Sequence, residues 1–494
     1  MKTAGLLVFI VYMAIMLVIG IVAARLQRST AHFWVANRAF GAPVLAVAIL
    51  VSIMHGGTLL GGTGQIAAMG AITLNNLAFA FGFLVVLLFM ADKLRRFGGF
   101  TLPDYLGDRY ESNALRAFAA VVVLVSATVS LIAQTKAMGI VIQQLSGLPL
   151  AWSLVLGSLV FTIYTSIGGM LAAVWTDIAQ WLFMIVGVGA LLVVLWPQVG
   201  GFTGMAQAAE QAAPGWTSLT GSGWTLSGLL TWYLVWFVAY FTRIEFVTKM
   251  YTARDERAAR QGVAWGLLLV LVFFSTTVFL GGAARVLVWD EIKSPDAALP
   301  AMINRYLSPF WGAVALSGVA AAAMSTVSSL LLLSGAAIAH DLLRKSYFEP
   351  RGIERSDRYY LVVSRLTTFA VGIVALVGAF YTPTLVLTIV SYGVALTGAA
   401  FAVPMLLGMT WRRFTPSAAL WSSVGGFLVT AVWAAVTEAG ATWAKAWHPI
   451  FPGLVMSIVL ALVLTPITRQ VSESTLERFF ARGEGRVAAG GRAA

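Results

Sequence analysis

Residues 320–329 read Ala320-Ala321-Ala322-Ala323-Met324-Ser325-Thr326-Val327-Ser328-Ser329. The stretch lies inside an apolar run, about residues 308–342, that is too long and too poor in charge for an ordinary soluble helix. Wound as a helix, it puts Ala322, Ser325, Thr326 and Ser329 on one face, because they are spaced by three, four and seven. Two neighbouring hydroxyls and a backbone carbonyl one turn earlier then offer three hard oxygens in a small volume. That set suits a small hard cation such as sodium. The same residue types have a plainer use: Ser and Thr in membrane helices bond back to their own backbone or join helices, and small residues mark close packing. The stretch places the chain in a membrane and leaves both uses of its hydroxyls open.

Composition points the same way. Of 494 residues, 59% are hydrophobic and 11% are charged, too few charges to cover a soluble protein of this size. The expected class is an all-α polytopic membrane protein. With no cysteine, disulfides and thiol catalysis are excluded. The net charge of +12 raises nucleic acid as a partner, but its distribution argues for the lipid bilayer instead. Residues 5–24 are apolar throughout a length of about 20 and lack a cleavage site, so they read as a span rather than a signal peptide.

Apolar windows of spanning length fall near 5–26, 42–71, 73–92, 114–147, 150–167, 173–197, 224–251, 260–287, 308–342, 359–381, 384–408, 416–437 and 449–468. That predicts about 13 transmembrane helices. Basic residues gather in alternate loops. Arg25, Arg28 and Arg38 follow the first span; Lys93, Arg95, Arg96, Arg109 and Arg116 the third; Arg254, Arg257 and Arg260 the seventh. Arg344, Lys345, Arg351, Arg355 and Arg358 follow the ninth, Arg412 and Arg413 the eleventh, and Arg469, Arg478, Arg482, Arg486 and Arg492 the last. The connections at Asn75-Asn76 and at 198–223 carry none. Positive loops mark the cytoplasmic side, so the N-terminus is expected outside and the C-terminus inside a cell membrane. Residues 1–469 read as one transmembrane domain, with outer loops at 198–223 and 288–307. Residues 470–494 read as a solvated cytoplasmic tail, too short for a signalling domain.

Residues 164–177, Tyr164-Thr165-Ser166-Ile167-Gly168-Gly169-Met170-Leu171-Ala172-Ala173-Val174-Trp175-Thr176-Asp177, resemble the hallmark of the sodium/solute symporter family. Four more stretches agree with that family in order. They are Gly61-Gly62-Thr63-Gly64, where the family has a Gly-x-Pro-Gly turn; Thr101-Leu102-Pro103-Asp104-Tyr105-Leu106 with Arg109-Tyr110; Ala253-Arg254-Asp255 with Ala258-Ala259-Arg260; and Ala322-Ala323-Met324-Ser325-Thr326 with His340-Asp341-Leu342. The resemblance covers nearly the whole chain. It implies a five-plus-five inverted repeat like that of the leucine transporter, over about 42–197 and 224–408, with one span before and two after. Such folds break the first helix of each repeat at the midplane and bind substrate and ion there. The glycine content of residues 55–64, His-Gly-Gly-Thr-Leu-Leu-Gly-Gly-Thr-Gly, supports the first break independently.

Carried onto matching positions, the family's sodium site takes the backbone carbonyls of Val51, Met54 and Ala322 and the hydroxyls of Ser325 and Thr326. Asp177 matches a family position near the ion's inner route, which implies a role in ion release or gating; an aspartate at a helix start is also a good cap. Trp236 and Tyr240 match an aromatic pair of the proline-transporting branch and share a helix face. With His55, Gly56 and Gly57 of the first break and Arg243 they make the implied substrate-binding set. Interfacial anchoring is the plainer use of the tryptophan and tyrosine. The chain also departs from that branch. An aspartate there is Ile53 here, a Gly-x-Pro at the second break is Thr242-Arg243-Ile244, and a histidine or glutamine is Glu245. The second break therefore lacks its usual residues, and proline itself is not implied as the solute.

His55, Lys136, Arg243 and Glu245 are ionisable groups at membrane depth, where charge is costly and tends to be functional. One reading has Lys136, Arg243 or His55 meet a carboxylate on the substrate. The other has an internal salt bridge, Arg243 or Lys136 with Glu245 or Asp177. Arg243 and Glu245 are two apart and do not share a helix face, so each is expected to find another partner. His55 also offers a pH-sensitive group.

The expected function is sodium-coupled symport of a small organic solute, an amino acid or a carboxylate-bearing compound, by alternating access. The implied partners are the solute, sodium and the bilayer, with no nucleic acid and no obligatory protein. A non-transporting solute sensor or a proton-coupled symporter on the same fold are the alternatives. A channel would need a carbonyl filter or an acidic ring, and none is evident. An enzyme would need a metal motif or a nucleophile constellation, and His340-Asp341 is too little for either.

Overall fold

The computed structural model describes residues 2–480 apart from 27–29, 71–72, 219 and 383–384, and leaves the side chains of 2–6, 31–32 and 73–77 undescribed. Arg28, Arg482, Arg486 and Arg492 and the side chains of Asn75 and Asn76 thus lie outside the described residues. Everything described is helix, turn or loop apart from one isolated bridge between Phe40 and Ala253. The main helices are α1 (Lys2–Leu26), α2 (Ala42–Ile53), α3 (Gly57–Met69), α4 (Thr73–Val85), α5 (Leu102–Arg109), α6 (Asn113–Ser146), α7 (Leu150–Val199) and α8 (Leu226–Thr242). They continue with α9 (Ile244–Thr252), α10 (Glu256–Leu287), α11 (Pro309–Ala336), α12 (Asp357–Tyr381), α13 (Val386–Thr410), α14 (Pro416–Glu438), α15 (Ile450–Leu464) and α16 (Glu473–Phe480).

Among the described residues, nine helices are long and apolar enough to cross a membrane, or ten if the bent pair α2–α3 is one span. That is fewer than the thirteen apolar windows, for three reasons. The 224–251 window is divided into α8 and α9. The 73–92 window begins with the 13-residue α4 and passes through a π turn, Val86–Met90, before a short polar helix. The 150–167 and 173–197 windows share the 50 residues of α7, which would rise about 75 Å, over twice an apolar bilayer core. The backbone of α7 breaks once, at Gly169 (φ 58°, ψ −164°), a conformation that favours glycine.

α11 is the centre of the bundle. Every residue from Gly312 to Ala336 is buried. Its alanines, glycines and serines let neighbouring backbones close in: a Cβ on Gly318 would lie 2.8 Å from the Phe183 carbonyl. The outer helices carry large apolar side chains on their free faces, such as Val193 at 75% and Leu268 at 63% exposure, a surface suited to lipid rather than water.

Some loop cations are structural. Arg109 is fully buried, and its Nε donates to the Gly408 carbonyl (2.7 Å) while Lys93 Nζ donates to the Met409 carbonyl (2.9 Å). Together they cap the C-terminal end of α13. The start of the expected solvated tail is instead ordered: α16 buries Leu476 and sets Phe479 against Phe97 and Tyr105, with ring centroids 5.6 and 5.7 Å apart.

Candidate functional site

The first break follows from the glycines. α2 opens at Met54 (ψ 60°), and α2 and α3 are bent by 56°. A Cβ on Gly56 would lie 2.9 Å from the Cβ atoms of both Ala137 and Ala323, so the chain there packs closer than any side chain permits. The loosened backbone finds polar partners. The Gly56 amide donates to Gln134 Oε1 (3.1 Å), the Thr58 amide to His55 Nδ1 (3.2 Å), and the Thr58 hydroxyl to the Ile53 carbonyl (3.0 Å). His55 is thus a fully buried brace of the break. Gln134 and Thr58 were missed from the sequence, although a lone amide in an apolar run is itself a signal.

The hydroxyl face of α11 meets this opened end. Ser325 Oγ donates to the Val51 and Ala322 carbonyls, both at 3.0 Å, and Thr326 Oγ1 donates to the Ser52 carbonyl at 3.3 Å. All of these residues are at most 1% exposed. The structure therefore brings together Val51, Ala322, Ser325 and Thr326, with Met54 at the end of the same helix, and adds the Ser52 carbonyl, which the sequence reading had not singled out. The hydroxyls both join helices and set their oxygens against backbone carbonyls of the opened end, so the two uses of the serine-threonine pair involve the same atoms. The chemistry of this neutral oxygen set suits a small monovalent cation, because a hydroxyl rotated away from a carbonyl offers its lone pairs as a further hard ligand.

A second break exists without glycine or proline. α8 ends at Thr242, Arg243 takes an extended conformation (φ −63°, ψ 121°), and α9 starts at Ile244. This agrees with the internal salt bridge of Arg243 with Glu245 and corrects the expectation that each would find another partner. Arg243 and Glu245 bond to each other, Nε to Oε1 at 2.6 Å, because the extended backbone at Arg243 takes it out of the helical spacing that would separate them. Arg243 also reaches the Ser52 carbonyl at 3.5 Å, so the two breaks touch through the carbonyl that Thr326 uses.

The other membrane charges take partners that the sequence reading did not name. Asp177 does not sit at a helix start. It lies eight residues beyond the Gly169 break, where its carboxylate accepts a 2.6 Å bond from Lys249 of α9, with both side chains fully buried. Lys136 meets neither Glu245 nor Asp177; its ammonium donates to the Thr382 carbonyl (3.1 Å) and feels the charge of Asp296.

Of the implied substrate residues, Trp236 lines a central cavity of about 30 Å³ with Thr58, Gln65, Phe79, Phe274 and Thr277. That volume holds about two waters. Tyr240 is packed instead on Phe79 and Phe83, with centroids 4.7 and 5.2 Å away. Gly57 follows His55 at the start of α3, and Arg243 faces Glu245.

In the π-helical segment Ala337–Phe348 that continues α11, His340 and Asp341 are buried with Asp104 of α5, with His340 Nε2 2.7 Å from Asp104 and Thr101 donating to Asp341 (2.7 Å). Burial opposes ionisation of Asp104, but His340, the Phe100 amide and Arg116 outweigh it and hold the carboxyl below its usual range. The knot ties α5 to the segment that continues α11.

Comparison with known proteins agrees with this architecture. The chain is 27% identical over 472 residues to the uncharacterized symporter YwcA of Bacillus subtilis, covering 92% of this chain and 90% of that protein. It is 25% identical over 480 residues to the high-affinity proline transporter PutP of the same organism, covering 94% and 98%. Its fold matches a Na+-coupled sialic acid symporter, solved substrate-bound and outward-open with a novel Na+ site, at a TM-score of 0.80 and 19% identity over 95% of this chain and 99% of that one. The fold is thus the leucine-transporter-like helical bundle. The model of the sodium:solute symporter family matches residues 33–426, and the chain belongs to that family.

Proposed function

We propose that the protein is a sodium-coupled symporter that carries a small organic solute across the cell membrane by alternating access. The single observation behind this reading is the convergence of Ser325 and Thr326 on the carbonyls at the opened end of α2. Sodium bound to Val51, Met54, Ala322, Ser325 and Thr326 would draw α2 and α11 together and order the first break. Order at the break favours solute beside it, and the favour is reciprocal. Release of the ion inward loosens both. The pair of Asp177 and Lys249, which joins α7 to α9, serves as the gating contact. The inverted repeats span about 42–197 and 224–408, with the N-terminus outside and the basic loops and C-terminus in the cytoplasm.

The drive is sufficient. One cation moving down 100 mV contributes about 2.3 kcal/mol and a tenfold gradient about 1.4 kcal/mol, which supports roughly 500-fold accumulation of a neutral solute. An amino acid or another carboxylate-bearing compound is the favoured cargo. Uptake into sealed vesicles holding the purified protein tests the proposal, with labelled amino acids, monocarboxylates, pantothenate and sugars. Accumulation of one solute only under an inward sodium gradient, lost in Ser325→Ala/Thr326→Ala, is expected. Accumulation that follows a proton gradient without sodium would refute sodium coupling, and binding without accumulation would favour a sensor.

A further inference from the structure

Among the described residues, the central cavity is smaller than an organic solute. Another, of about 370 Å³, lies beside Trp232, one turn before Trp236 on α8. Small-ligand sites commonly measure about 300–1,000 Å³, so this cavity has room for a small organic molecule where the central one does not. The two share a wall. Trp232 lines the larger, Trp236 lines the smaller, and the rings stand edge to face with centroids 5.6 Å apart.

The walls come from the start of α8, the start of α13, the end of α14 and the turn before α15. That is the end of the bundle with the 198–223 connection, which lacks basic residues and so belongs to the outer face. Trp224, Trp232, Tyr392 and His448 face one another, with ring centroids 5.7 to 6.0 Å apart along the chain of contacts. Rings that merely anchored the helix ends would turn toward lipid headgroups, whereas Trp232 is only 6% exposed.

The charges on this wall are two. Desolvation pushes the half-buried His448 down to about 3, so its imidazole is neutral. Its Nδ1 accepts from the Ile450 amide (3.4 Å), which leaves Nε2–H to donate to Ser391 (3.1 Å). Glu438 is held at the cavity by the Tyr392 hydroxyl, which donates to it at 2.7 Å. Lys445 supplies the opposite charge. Aromatic faces and a carboxylate attract an organic ammonium, and a lysine ammonium attracts a carboxylate. A small molecule that carries both charges complements the whole wall.

We propose that this cavity is an outer antechamber that binds a small zwitterion, an amino-acid-like solute, before it passes Trp232 and Trp236 to the central site. The proposal rests on the transport reading for the onward step and on the cavity alone for binding. Glu438 and Lys445 are exposed, so they can be changed without unfolding the chain.

The test is equilibrium binding of labelled L-proline and glycine betaine to the full chain in lipid nanodiscs, in sodium-free buffer, with acetate and choline as single-charge controls. Binding of a zwitterion is expected, weakened at least tenfold by Glu438→Gln and by Lys445→Met and unchanged in Ser325→Ala/Thr326→Ala. Acetate and choline are expected to bind at least tenfold more weakly. The proposal is overturned if neither zwitterion binds, if binding ignores both wall variants, if it is lost with the α11 hydroxyls, or if acetate binds equally well. Binding with the expected pattern, beside a wild-type protein that accumulates nothing under a sodium gradient, would uphold the antechamber and sink the transport reading alone.

Discussion

Removing one hydroxyl tests the ion site most directly. Ser325 Oγ lies 3.0 Å from both the Val51 and Ala322 carbonyls and is fully buried. With sodium bound, its oxygen would act as a ligand, worth about 1.5–3 kcal/mol by analogy with a hydrogen bond to a charged group. Without sodium it already makes neutral hydrogen bonds of about 0.5–1.5 kcal/mol, which Ser325→Ala also deletes. The difference, about 1–2 kcal/mol, is what sodium affinity loses. At about 1.4 kcal/mol per tenfold, the sodium concentration for half-maximal uptake rises roughly 5- to 30-fold, while the maximal rate at saturating sodium changes less. The assay is initial solute uptake into vesicles across a sodium series. Ser334→Ala is the control: its hydroxyl sits on the same helix but bonds back to Leu330 (2.9 Å) and touches neither break. An unchanged sodium curve for Ser325→Ala, or an equal shift in both variants, would refute the assignment.

Other perturbations follow from buried pairs and close packing. Lys249→Met leaves the Asp177 carboxylate buried and unpaired, so a loss of about 3–5 kcal/mol is expected in thermal unfolding, and adding Asp177→Asn should recover most of it. No recovery would mean the lysine acts by packing. Gly56→Ala puts a Cβ 2.9 Å from Ala137 and Ala323, so an overpacking loss of about 1–3 kcal/mol and loss of uptake are expected; wild-type uptake would show that the break is elastic. Folded His448 has its pKa lowered to about 3, whereas an unfolded histidine titrates near 6.5. Unfolding therefore takes up a proton as pH falls below about 6.5, and wild type should lose about 1.6 kcal/mol in all relative to His448→Gln between about pH 6.5 and 5, with a slope that steepens toward about 1.4 kcal/mol per pH unit. Parallel stability curves would contradict a neutral imidazole at this half-buried position.

Much of this molecule is legible one helix at a time. Apolar windows depend on neighbouring residues only, and they located the helices even where α8 and α9 divide one window. The glycines at 56–57 and 61–62 reveal a break because backbone freedom is local. The hydroxyl face of α11 follows from a spacing of three and four. The break at Arg243 had no such signal. It forms without glycine or proline, and its charged pair bridges the two sides only after the helix has opened.

By itself, then, the sequence determined a helical membrane bundle of the sodium:solute symporter kind, its first break and the residues that converge on it. The bundle, the break and the hydroxyl face of α11 rest on hydropathy, backbone propensity and helical period, all set within a turn or two, whereas the family and the Val51 and Met54 carbonyls come from the resemblance of its motifs. The tertiary structure alone decided which charges pair. Lys249 takes Asp177, and Lys136 takes the Thr382 carbonyl near Asp296. It also decided that Trp236 lines a cavity while Tyr240 packs among phenylalanines. Inside a membrane an uncompensated charge is costly, so partners are chosen by which helices come within a few ångströms, and that distance is a property of the packed bundle rather than of any one segment.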